Sequence, residues 1–109
     1  MTRGDIVIVS AKGAYTGKPR PALVVQADAY NPTHASVTIC PITTDLADAL
    51  LFRVTIPAGL QSGLATVSQV MVDKIVSVPR TRLSREIGRC DGSLMASVDA
   101  ALRGWMALD

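Results

Sequence analysis

One histidine, two cysteines and four aromatic residues are all this chain holds of the side chains behind most metal, redox and stacking chemistry. A single histidine, His34, rules out an acid–base pair of two imidazoles within one chain. Cys40 and Cys90 show no CxxC spacing, and with one histidine they cannot complete a four-ligand zinc site. Both are expected as buried, inert thiols. No glycine-rich phosphate loop runs into a helix, and no serine-nucleophile motif is present. Neither metal nor cofactor is therefore expected. Aromatic residues make up 4% of the chain, so its core must be aliphatic. No apolar run reaches membrane-spanning length, because charged or turn residues interrupt each one. The opening Met1-Thr2-Arg3-Gly4-Asp5 has no signal-peptide pattern, and a cytoplasmic location is expected. A net charge of +2 is too small to mark a nucleic-acid wrapper by itself.

What is present is apolar and short in period. The 109 residues suit one domain, 1–109, and 49% are hydrophobic against 18% charged. That balance leaves apolar surface for a second subunit to cover. Ile6-Val7-Ile8-Val9 is a continuous β-branched run of the kind buried on both faces. Ala22 to Gln26 reads as a second strand. Ser36 to Cys40 and Phe52 to Ile56 alternate, as half-buried strands do. Strand-like pieces follow around Ala65 to Val67 and from Val70 to Val78. Asp45 to Leu50 has helix formers behind an acidic start, which predicts a short helix between Thr44 and Leu51. From Leu94 the period changes: Leu94, Val98, Ala101, Leu102, Trp105 and Met106 recur at helical spacing, with Asp91 or Ser93 to cap. Trp105 on that stripe reads as core or subunit contact. Short strands closed by one helix predict a mainly β fold, an SH3-like β-barrel with a C-terminal α-helix.

Among polar residues, Lys18-Pro19-Arg20-Pro21 stands apart. Two prolines confine Arg20 to extended backbone at the mouth of a strand and so fix its direction. An aimed guanidinium matches phosphate oxygens two at a time, and Lys18 adds a second charge. The other reading, that the prolines end a loop and Arg20 is solvated, stands beside it. Asp45 and Asp48 read as solvated capping residues, and His34 as a solvent-facing turn residue.

Arg3-Gly4-Asp5-Ile6-Val7, then a glycine-containing loop and Arg20-Pro21-Ala22-Leu23-Val24-Val25-Gln26, resembles the opening of the MazF/PemK toxin family. The likeness continues through Cys40-Pro41-Ile42-Thr43-Thr44, Gly63 to Val67, Gln69-Val70, Asp73 to Val78, Arg82-Leu83 and Ile87-Gly88. It covers essentially the whole chain in order. The resemblance implies a CcdB/PemK-type barrel acting as the toxin of a type II toxin–antitoxin pair. It implies a metal-independent, sequence-specific endoribonuclease, with Arg20 and Thr43 as the catalytic residues and Lys18, Tyr15, Thr44 and Asp73 against the RNA. In such chemistry the ribose 2′-OH of single-stranded RNA attacks the adjacent phosphate. The protein supplies orientation and charge stabilisation. The implied partners are a second copy of the chain and a cognate antitoxin, whose acidic, disordered tail would lie over the groove and displace the Ser10 to Pro19 loop. Two departures matter. Tyr15 stands where relatives often carry Glu, and stacking on a base or simple exposure both suit it. Met71 stands where an arginine precedes the acidic residue in some relatives, and Asp73 equally suits a structural hydrogen bond. A CcdB-like poison that binds gyrase without catalysis, and a non-catalytic RNA-binding SH3-like module, are the alternative classes.

Overall fold

The computed structural model describes residues 1–10 and 18–109. The continuous run at the start forms β1 (Asp5–Val9), paired antiparallel on one side with β2 (Arg20–Val24) and on the other with β7 (Leu83–Arg89). Its central place explains why it does not alternate: both faces are covered. The β1–β7 register slips twice, between Ile6 and Val7 and between Val7 and Val9, as irregularities that curl a sheet do. β2 begins two residues earlier than the hydrophobic pattern suggests and ends two earlier. Val25 and Gln26 instead both donate their amides to the Thr38 carbonyl. The Gln26 side chain then takes over as a ladder, accepting from the Thr38 amide at 3.0 Å and donating to the Ser36 carbonyl.

β3 (Ser36–Thr43) is the longest strand and the hinge of the fold. It pairs with β2, with β6 (Val76–Pro79) along its first half, and with β5 (Ser68–Met71) along its second. Pro41 lies where the partner changes from β6 to β5, so its missing N–H interrupts no continuous ladder there. β5 also pairs with β4 (Arg53–Ile56). The resulting sheet has the order β4-β5-β3-β2-β1-β7, with β6 on β3, and every pairing is antiparallel.

Two aliphatic cores result. One, of Val7, Val9, Ala22, Val24, Val37, Ile39 and Val78, is enclosed by the curled strands. The other takes the opposite face (Ile6, Leu23, Cys40, Ile42) together with β4, β5 and the helix α1 (Gly92–Met106). Both cysteines are buried in this second core. Asp91 caps α1 by accepting from the Leu94 amide at 2.8 Å, and Val98, Ala101 and Leu102 are its buried stripe. The mainly β barrel with a C-terminal helix is the fold expected from the sequence.

Three local expectations are corrected. No helix forms between Thr44 and Leu51. The Gln69 side chain grips both the amide and the carbonyl of Ala47, at 2.9 and 3.0 Å, and the Thr43 hydroxyl holds the Asp45 amide, so those groups bond outside a helical ladder. Residues 65–67 are not a strand; β5 starts at Ser68. The run from Val70 to Val78 is broken by a 3-10 turn, Val72–Lys74, that lets the chain pass from β5 to β6. β7 was not anticipated, because an edge strand paired only with β1 needs little apolar content, and three consecutive residues in it are exposed. The loop before β5 lies on β7 so closely that a Cβ on Gly63, whose φ is +74°, would sit 1.9 Å from the Ile87 carbonyl oxygen.

Candidate functional site

The prolines around Arg20 open β2 at the mouth of the enclosed core. Pro21 stands opposite Ile8 and Arg20 opposite Val9. Across the sheet, Ala22 faces Pro41, Leu23 faces Cys40 and Val24 faces Ile39. Carrying that register two residues further sets Arg20 across from Thr43, the last residue of β3. Strand alternation puts both on the face that carries Ala22, Val24, Val37 and Ile39, the wall of the enclosed core. The guanidinium and the hydroxyl therefore share one end and one face of two neighbouring strands.

Arg20 lines a groove of about 240 Å³ whose floor is apolar (Val9, Ala22, Ile39, Pro41, Val76, Val78) and whose rim carries Lys18, Arg20 and Arg82. Thr43 is not itself a lining residue of the groove; it is half-buried at the end of β3, two residues past Pro41, which is, and accepts from the Asp45 amide at 3.0 Å, a bond that orients the hydroxyl. Thr44 follows it and is exposed. Tyr15 lies outside the described residues.

The cations around the groove have no acidic partner among the described residues. Among the described residues the close acid–base pairs are Arg3–Asp99, Arg53–Asp73, Arg89–Asp5 and the N-terminal ammonium with Glu86. Lys18, Arg20 and Arg82 belong to none of them, and positions 11–17 contain no Asp or Glu. The rim is a positive cluster over an apolar floor, where a phosphate meets cations already stripped of competing carboxylates.

Asp73 is placed differently. It sits in the 3-10 turn after β5 and is held from two sides by Arg53, Nε to Oδ1 at 2.8 Å and Nη2 to Oδ2 at 3.2 Å. The hydrogen bond from Arg53 outweighs burial and holds its carboxyl below the usual 3.8. Asp73 is not among the groove-lining residues and is paired with Arg53. His34 is exposed in its turn, with Nδ1 against Ser36. Trp105 is neither core nor free surface: it stays 49% exposed while meeting Phe52 edge to face at 5.4 Å. The residue that sequence reasoning missed is Arg82, carried to the groove by a 3-10 turn (Arg80–Arg82) from the far end of the chain. Nothing in its spacing marks it. Only the tertiary fold brings it beside Arg20.

With the geometry set out, the chain can be compared with known proteins. The family model described as "PemK-like, MazF-like toxin of type II toxin-antitoxin system" matches residues 2–106. A protein of Mycolicibacterium smegmatis named "Probable endoribonuclease MazF" is 48% identical over 102 residues, covering 94% of this chain and 93% of that one. Among solved structures, the Mycobacterium tuberculosis toxin MazF-mt6 superposes with a TM-score of 0.83 at 28% identity, over 96% of this chain and 98% of that one. A MazE-MazF crystal structure from Deinococcus radiodurans gives 0.82 at 28% identity, over 100% and 98%.

Proposed function

The chain belongs to the family of PemK-like, MazF-like toxins of type II toxin–antitoxin systems and is an endoribonuclease; from that premise we propose that it cuts single-stranded RNA with Arg20 and Thr43, leaving the attack to the substrate's own 2′-OH. The observation that carries this reading is the register of β2 on β3, which brings the two residues to one strand end, on one face. The nucleophile belongs to the RNA, so the protein has two tasks: hold the phosphate in line with the neighbouring 2′-oxygen, and stabilise the charge that builds on its equatorial oxygens. Arg20 donates to those oxygens. Its intrinsic pKa is far too high for easy proton transfer, so its part is electrostatic. Thr43, oriented by the Asp45 amide, hydrogen-bonds a phosphate oxygen or the attacking hydroxyl. Lys18 and Thr44 meet the flanking strand, as does Tyr15, and sequence selectivity resides in such base contacts. Asp73 is paired with Arg53 outside the groove-lining residues, so its contact in this reading is with RNA that runs past the groove.

The chemistry needs no metal, and the whole chain, 1–109, works as one toxin domain in the cytoplasm. No helix of the described residues is long and apolar enough to cross a membrane. Its partners in this reading are a second copy of the chain and an antitoxin with an acidic, disordered tail. That tail would compete with RNA for the same unneutralised rim. The D. radiodurans relative has been solved as a MazE-MazF complex, which supports an antitoxin partner here.

The deciding experiment incubates the protein with a long single-stranded RNA in EDTA and maps the ends. Cleavage to 2′,3′-cyclic phosphate and 5′-OH ends is expected, with Arg20→Ala and Thr43→Ala each slower by about 100- to 1000-fold. Cleavage that requires added metal, or that survives in Arg20→Ala, sinks the mechanism.

A further inference from the structure

Arg82 lines the same groove as Lys18 and Arg20, and three hydrogen bonds fix it there. Its Nε donates to the Ser10 carbonyl at 2.9 Å; the Ser10 amide returns a bond to the Arg82 carbonyl at 2.9 Å, and the Ser10 hydroxyl another at 3.2 Å. One of the five guanidinium donors is thus spent on the backbone, and that bond sets the plane of the other four. Three arginines of this chain are matched to carboxylates, Arg3 to Asp99, Arg53 to Asp73 and Arg89 to Asp5, and Arg80 is held through two of its nitrogens by the His34 and Asn31 carbonyls. Arg82 is half-buried, tethered at one nitrogen, and in no such pair among the described residues. With Nε committed, the two terminal nitrogens form the edge left for a bidentate oxyanion, at the rim of an apolar-floored groove.

We propose that Arg82 is a substrate-positioning residue which binds a backbone phosphate flanking the scissile one, so that the RNA is gripped at two phosphates. This rests on the reading that the groove takes RNA. Arg20 and Lys18 enter the groove from the start of β2, whereas Arg82 enters from the turn between β6 and β7. Two separately anchored cation sites, with Val76 and Val78 on the floor, hold an extended strand in one direction, which a single phosphate contact cannot do. A flanking phosphate is held equally before and during the reaction, so the contact acts on binding and direction, and no bond-making role falls to Arg82.

The test uses two substrates: a cleavable RNA oligonucleotide, and the same oligonucleotide with a 2′-deoxy residue at the cut, which binds but cannot react. In Arg82→Ala, KM for the first and Kd for the second should rise together by about 10- to 100-fold, the worth of hydrogen bonds to a charged group. kcat should change little. The slope of log Kd against log salt should flatten by about 0.7, the share of one phosphate on a single strand. Arg82→Lys, which keeps the charge and loses the fork, should recover most of the salt slope and only part of the affinity. Thermal melting of both variants shows whether the Ser10 bracing has been lost. A drop in kcat with Kd and salt slope unchanged, in a variant that melts normally, overturns the proposal. So does unchanged binding. If both variants melt early, Arg82→Lys with a salt slope no nearer to wild type than that of Arg82→Ala overturns it as well. Failure of the underlying reading looks different, since wild-type protein would then neither cut the first oligonucleotide nor bind the second.

Discussion

The two faces of the sheet around β3 carry opposite solutions to the same electrostatic problem. The side that meets β4, β5 and α1 holds two matched pairs: Arg53 grips Asp73 at two points, with side chains only 15% and 17% exposed, and Arg3 is spanned to Asp99 on the helix. The mouth of the enclosed core keeps Lys18, Arg20 and Arg82 without a carboxylate. Pairing a half-buried arginine contributes to folding only if the partner is already in place; leaving it unpaired raises the local potential and stores affinity for a polyanion. One region spends charges on the fold, and the other leaves them open to a polyanion.

The sharpest way to break that contrast is to exchange the losses. Arg20→Ala should cost about 100- to 1000-fold in RNA cleavage while the melting temperature hardly moves, because an unpaired rim residue supports nothing else. Arg53→Ala should do the reverse. It leaves the Asp73 carboxylate without its donors and should lower stability by about 1–3 kcal/mol, with kcat on the remaining folded protein close to wild type. Denaturant titration and single-turnover cleavage on the same two variants decide it. If Arg53→Ala loses activity faster than stability, the helix-side pair belongs to the site after all.

That contrast was partly legible beforehand. Strand periodicity and the helical stripe disclosed the fold class, because burial dictates both, and Asp91 appeared as a cap. The confinement of Arg20 by two prolines was visible as local chemistry. The resemblance to a toxin family picked out Thr43, which composition alone would have passed over. What stayed hidden depends on contacts distant in sequence. Arg82 reaches the groove only through the turn after β6, and the fate of Asp73 depended on Arg53, twenty residues earlier. The short helix expected between Thr44 and Leu51 failed for the same reason: Gln69, from β5, takes the Ala47 amide and carbonyl that helix formation would have used. β7 escaped notice because an edge strand with Arg85 and Glu86 outward has no apolar alternation to read.

A smaller effect sharpens the helix-side half of the comparison through pH. Arg53 holds the Asp73 carboxyl below 3.8 in the folded protein, while in the unfolded chain it titrates near that value. Its contribution is therefore complete above 3.8 and is lost as the pH falls below it through the folded value. Asp28, lowered by the Arg3 amide, adds a term of the same sign. The melting temperature should thus decline below about pH 4 and do so less steeply in Asp73→Asn, whose own starting stability is lower. Equal slopes in the two proteins would mean the pair contributes nothing through ionisation.

The smallest expected signal concerns the thiols, and it tests whether the helix-side core is as dry as its pairing implies. Burial pushes Cys40 up to about 12 and Cys90 up to about 11, so at pH 8 the reactive thiolate is scarce at both. Both lie in the core under α1 and neither lines the groove. A thiol reagent should therefore label neither cysteine in the native protein at pH 8 and both after denaturation, and saturating RNA should leave the native result unchanged. Rapid native labelling of Cys90, which lies just before the Asp91 cap, would show that the start of α1 opens from the sheet. The side with the Arg53–Asp73 pair would then be the mobile half of the molecule, and the division of labour between the two faces of the sheet would have to be reversed.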